Sequence, residues 1–242
     1  MSKIPAKTTA RLLDSTAFMN AEYGVAWNGM VTLNFDQIGC RDEKAASMAL
    51  TKLNEAIADR IDRHGKRYCP GAKLPHFFLY VQEYVETHGH HVHELIVLPP
   101  GLDAGFDKWL QGWATRNFEN VETGATHYRG RYYRDDRARA DQQRRLLSYV
   151  LKSSEDATIG AKAGGATTLR EILGLDKYKR AYCAKVGKVA GCSQNLTHRA
   201  RLKAGFGQPA WFEEALTDIH LREFHRRRHA EELAWTLRSI DV

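Results

Sequence analysis

The sequence predicts an α+β fold, a central antiparallel β-sheet flanked by helices with a C-terminal helical extension. Three observations carry this. Short runs rich in β-branched and aromatic residues alternate with stretches of 3.6-residue apolar periodicity. Two strand-like runs lie so close together that they can only pair as an antiparallel hairpin. Hydrophobic residues make up 43% of the 242 positions, enough for a substantial core.

The elements follow in chain order. MVTLNFDQI (30–38) has strand character after a WNG turn. DEKAASMALTKLNEAIADRIDRHGKR (42–67) reads as a long amphipathic helix with Asp42 as its N-cap. LPHFFLYVQEYVE (74–86) and HVHELIVLP (91–99) are the hairpin strands, with THGH as the turn. FDKWLQGWATRNF (106–118) is a short helix with Trp109 and Trp113 on one face, and ATHYRGRYYR (125–134) is a fourth strand. DDRARADQQRRLLSYVLKSSED (135–156) is a helix whose apolar side carries Leu146, Leu147, Val150 and Leu151. The order strand, helix, hairpin, helix, strand, helix gives a sheet with helices on one side. TIGAKAGGATT (158–168) reads as a Gly-rich loop or linker between a first domain, 1–157, and a helical region, 169–242. Within that region helices are expected around 168–190, from an N-cap at Ser193, and from Pro209 to about Ile240.

Composition narrows the setting. No apolar run approaches the roughly 18–20 residues that cross a bilayer, and MSKIPAKTTARLLDSTAFMN lacks the apolar core of a signal peptide. The four cysteines are scattered, with no C-x-x-C pair, which fits reduced thiols and a cytoplasmic location. Net charge is +7, and the basic residues cluster with aromatics in RGRYYRDDRARADQQRR (129–145), KYKR (177–180) and FHRRRHA (224–230). Phosphates attract such charge and unpaired bases stack on such rings, so nucleic acid is the expected partner. Tyr128, Arg129, Arg131, Tyr132 and Arg134 are the residues expected to lie along DNA.

Two motifs carry chemistry. His91 and His93 stand at i and i+2 of a strand and project from one face, with Val92 turned to the other. Two imidazoles on a rigid strand are half of a metal site, and the third ligand is expected from the neighbouring strand. Glu83 and Glu86 are both there, on opposite faces by parity. His88 and His90 add a competing loose cluster with His91. Mixed imidazole and carboxylate ligands suit Mg²⁺ or Mn²⁺, and Zn²⁺ also fits such a set. The second motif is Tyr149 with Lys152 in LLSYVLKSS, i and i+3 on one helix face. A tyrosine beside a metal can act as a nucleophile, and the lysine can place positive charge beside a phosphate or hold the phenolate.

A strand bearing His91-Val92-His93, a basic strand, then a helix bearing Tyr149-Val150-Leu151-Lys152, in this order, resembles the HUH endonucleases. More narrowly it is similar to the single-tyrosine initiators of rolling-circle replication, over about residues 28–155, with VTLNF (31–35) as a loose match to their first motif. The resemblance implies an HUH/RRM-like sheet. It assigns the third metal ligand to Glu83, eight residues upstream of the histidine pair, with Glu86 in reserve. It implies that Tyr149 attacks single-stranded or hairpin DNA, becomes linked to the 5′-phosphate and leaves a free 3′-OH for a host polymerase. GAKAGGATT lacks the Lys-Ser/Thr ending of a phosphate-binding loop, so strand separation is expected from a host helicase. A single-tyrosine HUH transposase and a non-catalytic nucleic-acid-binding module are the alternative readings.

Overall fold

The structure is a computed structural model that describes residues 3–68, 74–87, 89–162, 165–175, 178, 182–183, 188–206 and 217–240. Seven α-helices and eight strands occur among these residues. They are α1 (Ala6–Tyr23), β1 (Gly29–Asn34), α2 (Glu43–Tyr68), β2 (Phe78–Val85), β3 (Gly89–Ile96), α3 (Phe106–Asn117), β4 (Thr126–Gly130) and α4 (Asp136–Val150). Then come β5 (Thr158–Lys162), β6 (Gly165–Thr168), α5 (Leu169–Leu173), β7 (Tyr182–Cys183), β8 (Ala190–Cys192), α6 (His198–Lys203) and α7 (Ile219–Ile240).

The main sheet runs β4-β1-β3-β2, with β7 and β8 both pairing the outer edge of β2, and every pairing is antiparallel. Alternation along the strands sends side chains to two different cores. Val31, Leu33, Val92 and Ile96 meet Leu53, Ile57 and Ile61 of α2 and Phe106, Leu110 and Trp113 of α3. Met30, Leu79, Val81 and Leu95 meet Leu13, Ala17 and Phe18 of α1 and Leu147 and Val150 of α4. Helices therefore cover both faces, not one.

Helix α1 is the element the sequence reading did not anticipate. Its inward face carries Thr9, Ser15, Thr16 and Asn20, all buried, which breaks the apolar stripe that announces a core helix. Each polar group has a partner. The Trp27 indole donates to Thr16 Oγ1 at 3.0 Å, the Asn20 amide exchanges hydrogen bonds with the fully buried Gln143 of α4, and Ser15 donates to the Leu196 carbonyl. Just before α1, Ile4 N donates to Ser153 O and Glu155 N to Ile4 O, so the N-terminal segment is pinned to the turn after α4.

Other boundaries move as well. Asp42 does cap α2, accepting from Ala45 N at 2.8 Å. β1 ends at Asn34, where the chain turns into a short 3₁₀ stretch (Asp36–Ile38), and β4 ends at Gly130. The expected linker at 158–168 contains the paired strands β5 and β6. The expected helix over 168–190 is cut short at Leu173, because Gly174 takes a left-handed φ of 60°, and β7 and β8 follow. These two strands complete the main sheet, so the segment after 168 belongs partly to the sheet domain. Ser193 heads only a 3₁₀ stretch; Thr197 caps α6, accepting from Ala200 N. The last helix spans Ile219–Ile240, and the expected beginning at 209–216 lies outside the described residues, as do His88, Cys69 and three residues of the KYKR cluster. Cys40 and Cys192 are free thiols. No helix among the described residues is long and apolar enough to cross a membrane.

Candidate active site

The site lies on the α1/α4 face of the sheet. Register places Glu83 of β2 directly opposite His91 of β3, and His93 opposite Thr32 of β1. Directly opposed residues share a face, so strand pairing alone brings Glu83, His91 and His93 together. Their candidate ligand atoms all lie within 4.8 Å of one another, and all three side chains are buried. Glu86 is exposed in the turn after β2 and does not join them. His90 faces the other way from His91, toward Gln82 at 2.9 Å and the Phe35 ring; His88, the third member of the alternative cluster, lies outside the described residues.

The donor atoms suit a metal ion. His91 Nδ1 is 3.1 Å from the Gly89 carbonyl, which can only accept, so that nitrogen is the donor there and Nε2 turns inward to Glu83. His93 Nδ1 is 2.9 Å from Thr32 Oγ1, leaving its Nε2 inward as well. The two Nε2 atoms stand 3.6 and 3.5 Å from Glu83 Oε2. That is long for a direct hydrogen bond and close to the spacing of two ligands sharing an ion about 2.1 Å from each. Gly89 has φ 68°, and a Cβ there would lie 1.9 Å from Asp36 Oδ2, so only glycine lets the backbone turn into β3 at this point.

Glu83 is fully buried, and burial alone would raise its pKa. The two imidazoles and the Lys152 ammonium outweigh that and hold the carboxyl well below the usual range, so it is ionised and ready to ligate. Lys152 Nζ is 2.5 Å from Glu83 Oε2, and Ser153 Oγ donates to Oε1 at 2.9 Å. Burial pushes the His93 imidazole down to about 4, only partly offset by Glu83, so it is neutral at pH 7.

Tyr149 is the penultimate residue of α4, and Lys152 lies in the turn beyond the helix end rather than on the helix. The two still meet. Lys152 Nζ sits 4.1 Å from the Tyr149 ring centroid, and the ring packs edge-on against His93 with centroids 5.1 Å apart. Burial, and then the Glu83 charge, raise the Tyr149 pKa, while Arg129 pulls it the other way. Tyr149 opens into a groove of about 680 Å³ that Arg129, Arg131, Arg145, His127, Tyr133 and Tyr178 help to line.

The expected DNA-contacting set is divided. Arg129 faces the groove, and Arg131, Tyr132 and Arg134 are exposed beyond the end of β4. Tyr128 is a correction. Strand parity turns it away from Arg129, and its ring packs 4.7 Å from Phe106 in the α3 core, 9% exposed. It is not available to a base. Sequence reasoning missed Thr32, His127, Arg145 and Ser153. Thr32 and His127 were one register assignment away, since β1 and β4 alternate as β3 does. Ser153 had no signal, because its contact with Glu83 spans 70 positions of the chain.

No family model, curated protein or solved structure matches the chain.

Proposed function

We propose that the chain is an HUH-type single-strand DNA endonuclease and strand transferase that starts rolling-circle replication. The observation that carries the reading is the packing of the Tyr149 ring, which lines an arginine-lined groove, on His93 of the buried Glu83–His91–His93 cluster. Strand pairing and helix packing bring together residues that the motifs only placed in order along the chain.

Each residue then has a task. Arg129, Arg131 and Arg145 hold the phosphates of a single strand in the groove. The Tyr149 oxygen bonds to phosphorus as its proton leaves to water. The bond from phosphorus to the 3′-oxygen breaks, and that oxygen takes a proton to become a free 3′-OH for a polymerase. Glu83, His91 and His93 would hold Mg²⁺ or Mn²⁺, whose charge would favour the phenolate and the developing negative charge on phosphate. Lys152 keeps positive charge against both Glu83 and the phenol ring.

The test is a denaturing gel of the protein with labelled single-stranded oligonucleotides from its replicon, with Mn²⁺ or EDTA. A Mn²⁺-dependent adduct should form with the native chain and drop at least about a thousandfold with Tyr149→Phe. An equal adduct with Tyr149→Phe would refute the reading.

A further inference from the structure

A second cavity lies at the opposite end of the sheet from the histidines, with a volume of about 400 Å³. Its lining combines rings and cations. Tyr23 and Phe77 stand with centroids 4.7 Å apart, Tyr132 is 40% exposed, and Tyr133, Arg139 and His225 join them. The cavity adjoins the active-site groove: Tyr133 and Gln142 line both. Gln142 precedes Tyr149 by seven residues on α4, about 10 Å along the helix axis. Arg131 rests on the Tyr133 ring, 5.0 Å from its centroid, so a phosphate-binding group sits at the junction.

The Asn28, Gln142 and Arg139 side chains of this cavity already have backbone partners. The Asn28 amide pairs with both Leu98 N and Leu98 O, Gln142 Nε2 donates to Asn28 O, and Arg139 Nη2 donates to Gly24 O. The rings of Tyr23, Phe77, Tyr132 and Tyr133 are the largest recognition surface it offers a ligand. Flat rings beside a polyanion-binding rim are matched by a base that has left its stack, held by its π-face. A peptide would find backbone groups already engaged, and it would not use the arginines of the adjoining groove.

We infer that this cavity takes one unpaired base of the same DNA strand, a few nucleotides from the phosphate that Tyr149 attacks. The inference rests on the single-strand DNA reading above. The base is held by stacking and not by hydrogen bonds to its edge, so the cavity grips a strand with little regard to sequence. It fixes the register of the strand while Tyr149 acts.

The test compares a fluorescein-labelled dT20 with an abasic 20-mer of the same backbone, by anisotropy in EDTA, so that no cleavage intervenes. The native chain should prefer dT20. Tyr132→Ala, at an exposed position, and Val25→Trp, which fills the cavity, should each weaken dT20 about tenfold and leave the abasic strand unchanged. Tyr132→Trp should restore the affinity. Thermal melts of each variant exclude loss of folding. If dT20 does not bind the native chain at all, the single-strand reading fails and the base site with it. If dT20 binds, weakens with Arg129→Ala and Arg131→Ala, but ignores Tyr132→Ala and Val25→Trp, only the base site is overturned and the cavity serves another ligand.

Discussion

Glu83 is held at both oxygens, by Lys152 at Oε2 and by Ser153 at Oε1. A carboxylate tethered this way presents one lone pair to the two imidazoles without losing side-chain freedom when an ion binds. Groups that orient a ligand typically change metal affinity by about 10–100-fold when removed. Ser153→Ala is therefore expected to weaken Mn²⁺ binding about tenfold by calorimetry, and an unchanged Kd would mean that Ser153 only fills space. On β3, facing away from His91 and His93, Glu94 is fully buried with Asn54 Nδ2 as a donor at 3.0 Å, and burial raises its pKa to about 8. An unfolded glutamate titrates near 4.3, so the folded chain holds an extra proton between roughly pH 4 and 8. That contribution to stability is present below the unfolded pKa and is lost as pH rises through 8. Glu94→Gln removes the titration. Its melting temperature relative to the native chain should rise steadily from pH 5 to pH 8.5, and parallel pH profiles would refute a protonated Glu94.

At the scale of elements, strand register does most of the positioning. The histidine pair and the hairpin were legible in the sequence, because period-2 alternation is a local property that needs no tertiary contact, whereas the choice of Glu83 over Glu86 on the histidine face is made by the cross-strand register of Glu83 with His91. The order of the central elements was legible for the same reason. Helix α1 was not, since Thr9, Ser15, Thr16 and Asn20 face inward and find partners only from distant segments. β7 and β8 were not, since two- and three-residue strands carry no periodicity and exist by pairing with β2. Tyr128 was misplaced because its cluster read as charge and rings, while its burial depends on α3 lying beneath β4. The join between α1 and α7 gives a test of the helical layer. Gly24 closes α1 with φ 63°, and a Cβ there would lie 2.1 Å from the Phe224 ring of α7. Gly24→Ala meets both the left-handed backbone and that ring, and is expected to cost at least about 1 kcal/mol in urea unfolding. An unchanged midpoint would show that α7 does not pack there in solution.

Over the whole molecule, function follows from the two faces of one sheet. The α2/α3 face is a closed apolar core. The α1/α4 face divides between a core and a polar site, with the ligand cluster on β2 and β3, the groove between β4 and α4, and the ring-lined cavity beyond it. The N-terminal segment, bound to the turn that carries Lys152 and Ser153, ties the start of the chain to the site. The central claim is that Tyr149 is the atom donor to phosphorus, and mass spectrometry reads it directly. After reaction with single-stranded DNA and Mn²⁺, nuclease and trypsin digestion should leave the peptide Leu146–Lys152 with a nucleotide joined to Tyr149 through its 5′-phosphate. A nucleotide on Tyr133 or Tyr178 instead, or a cleaved strand with no modified peptide, would contradict the account.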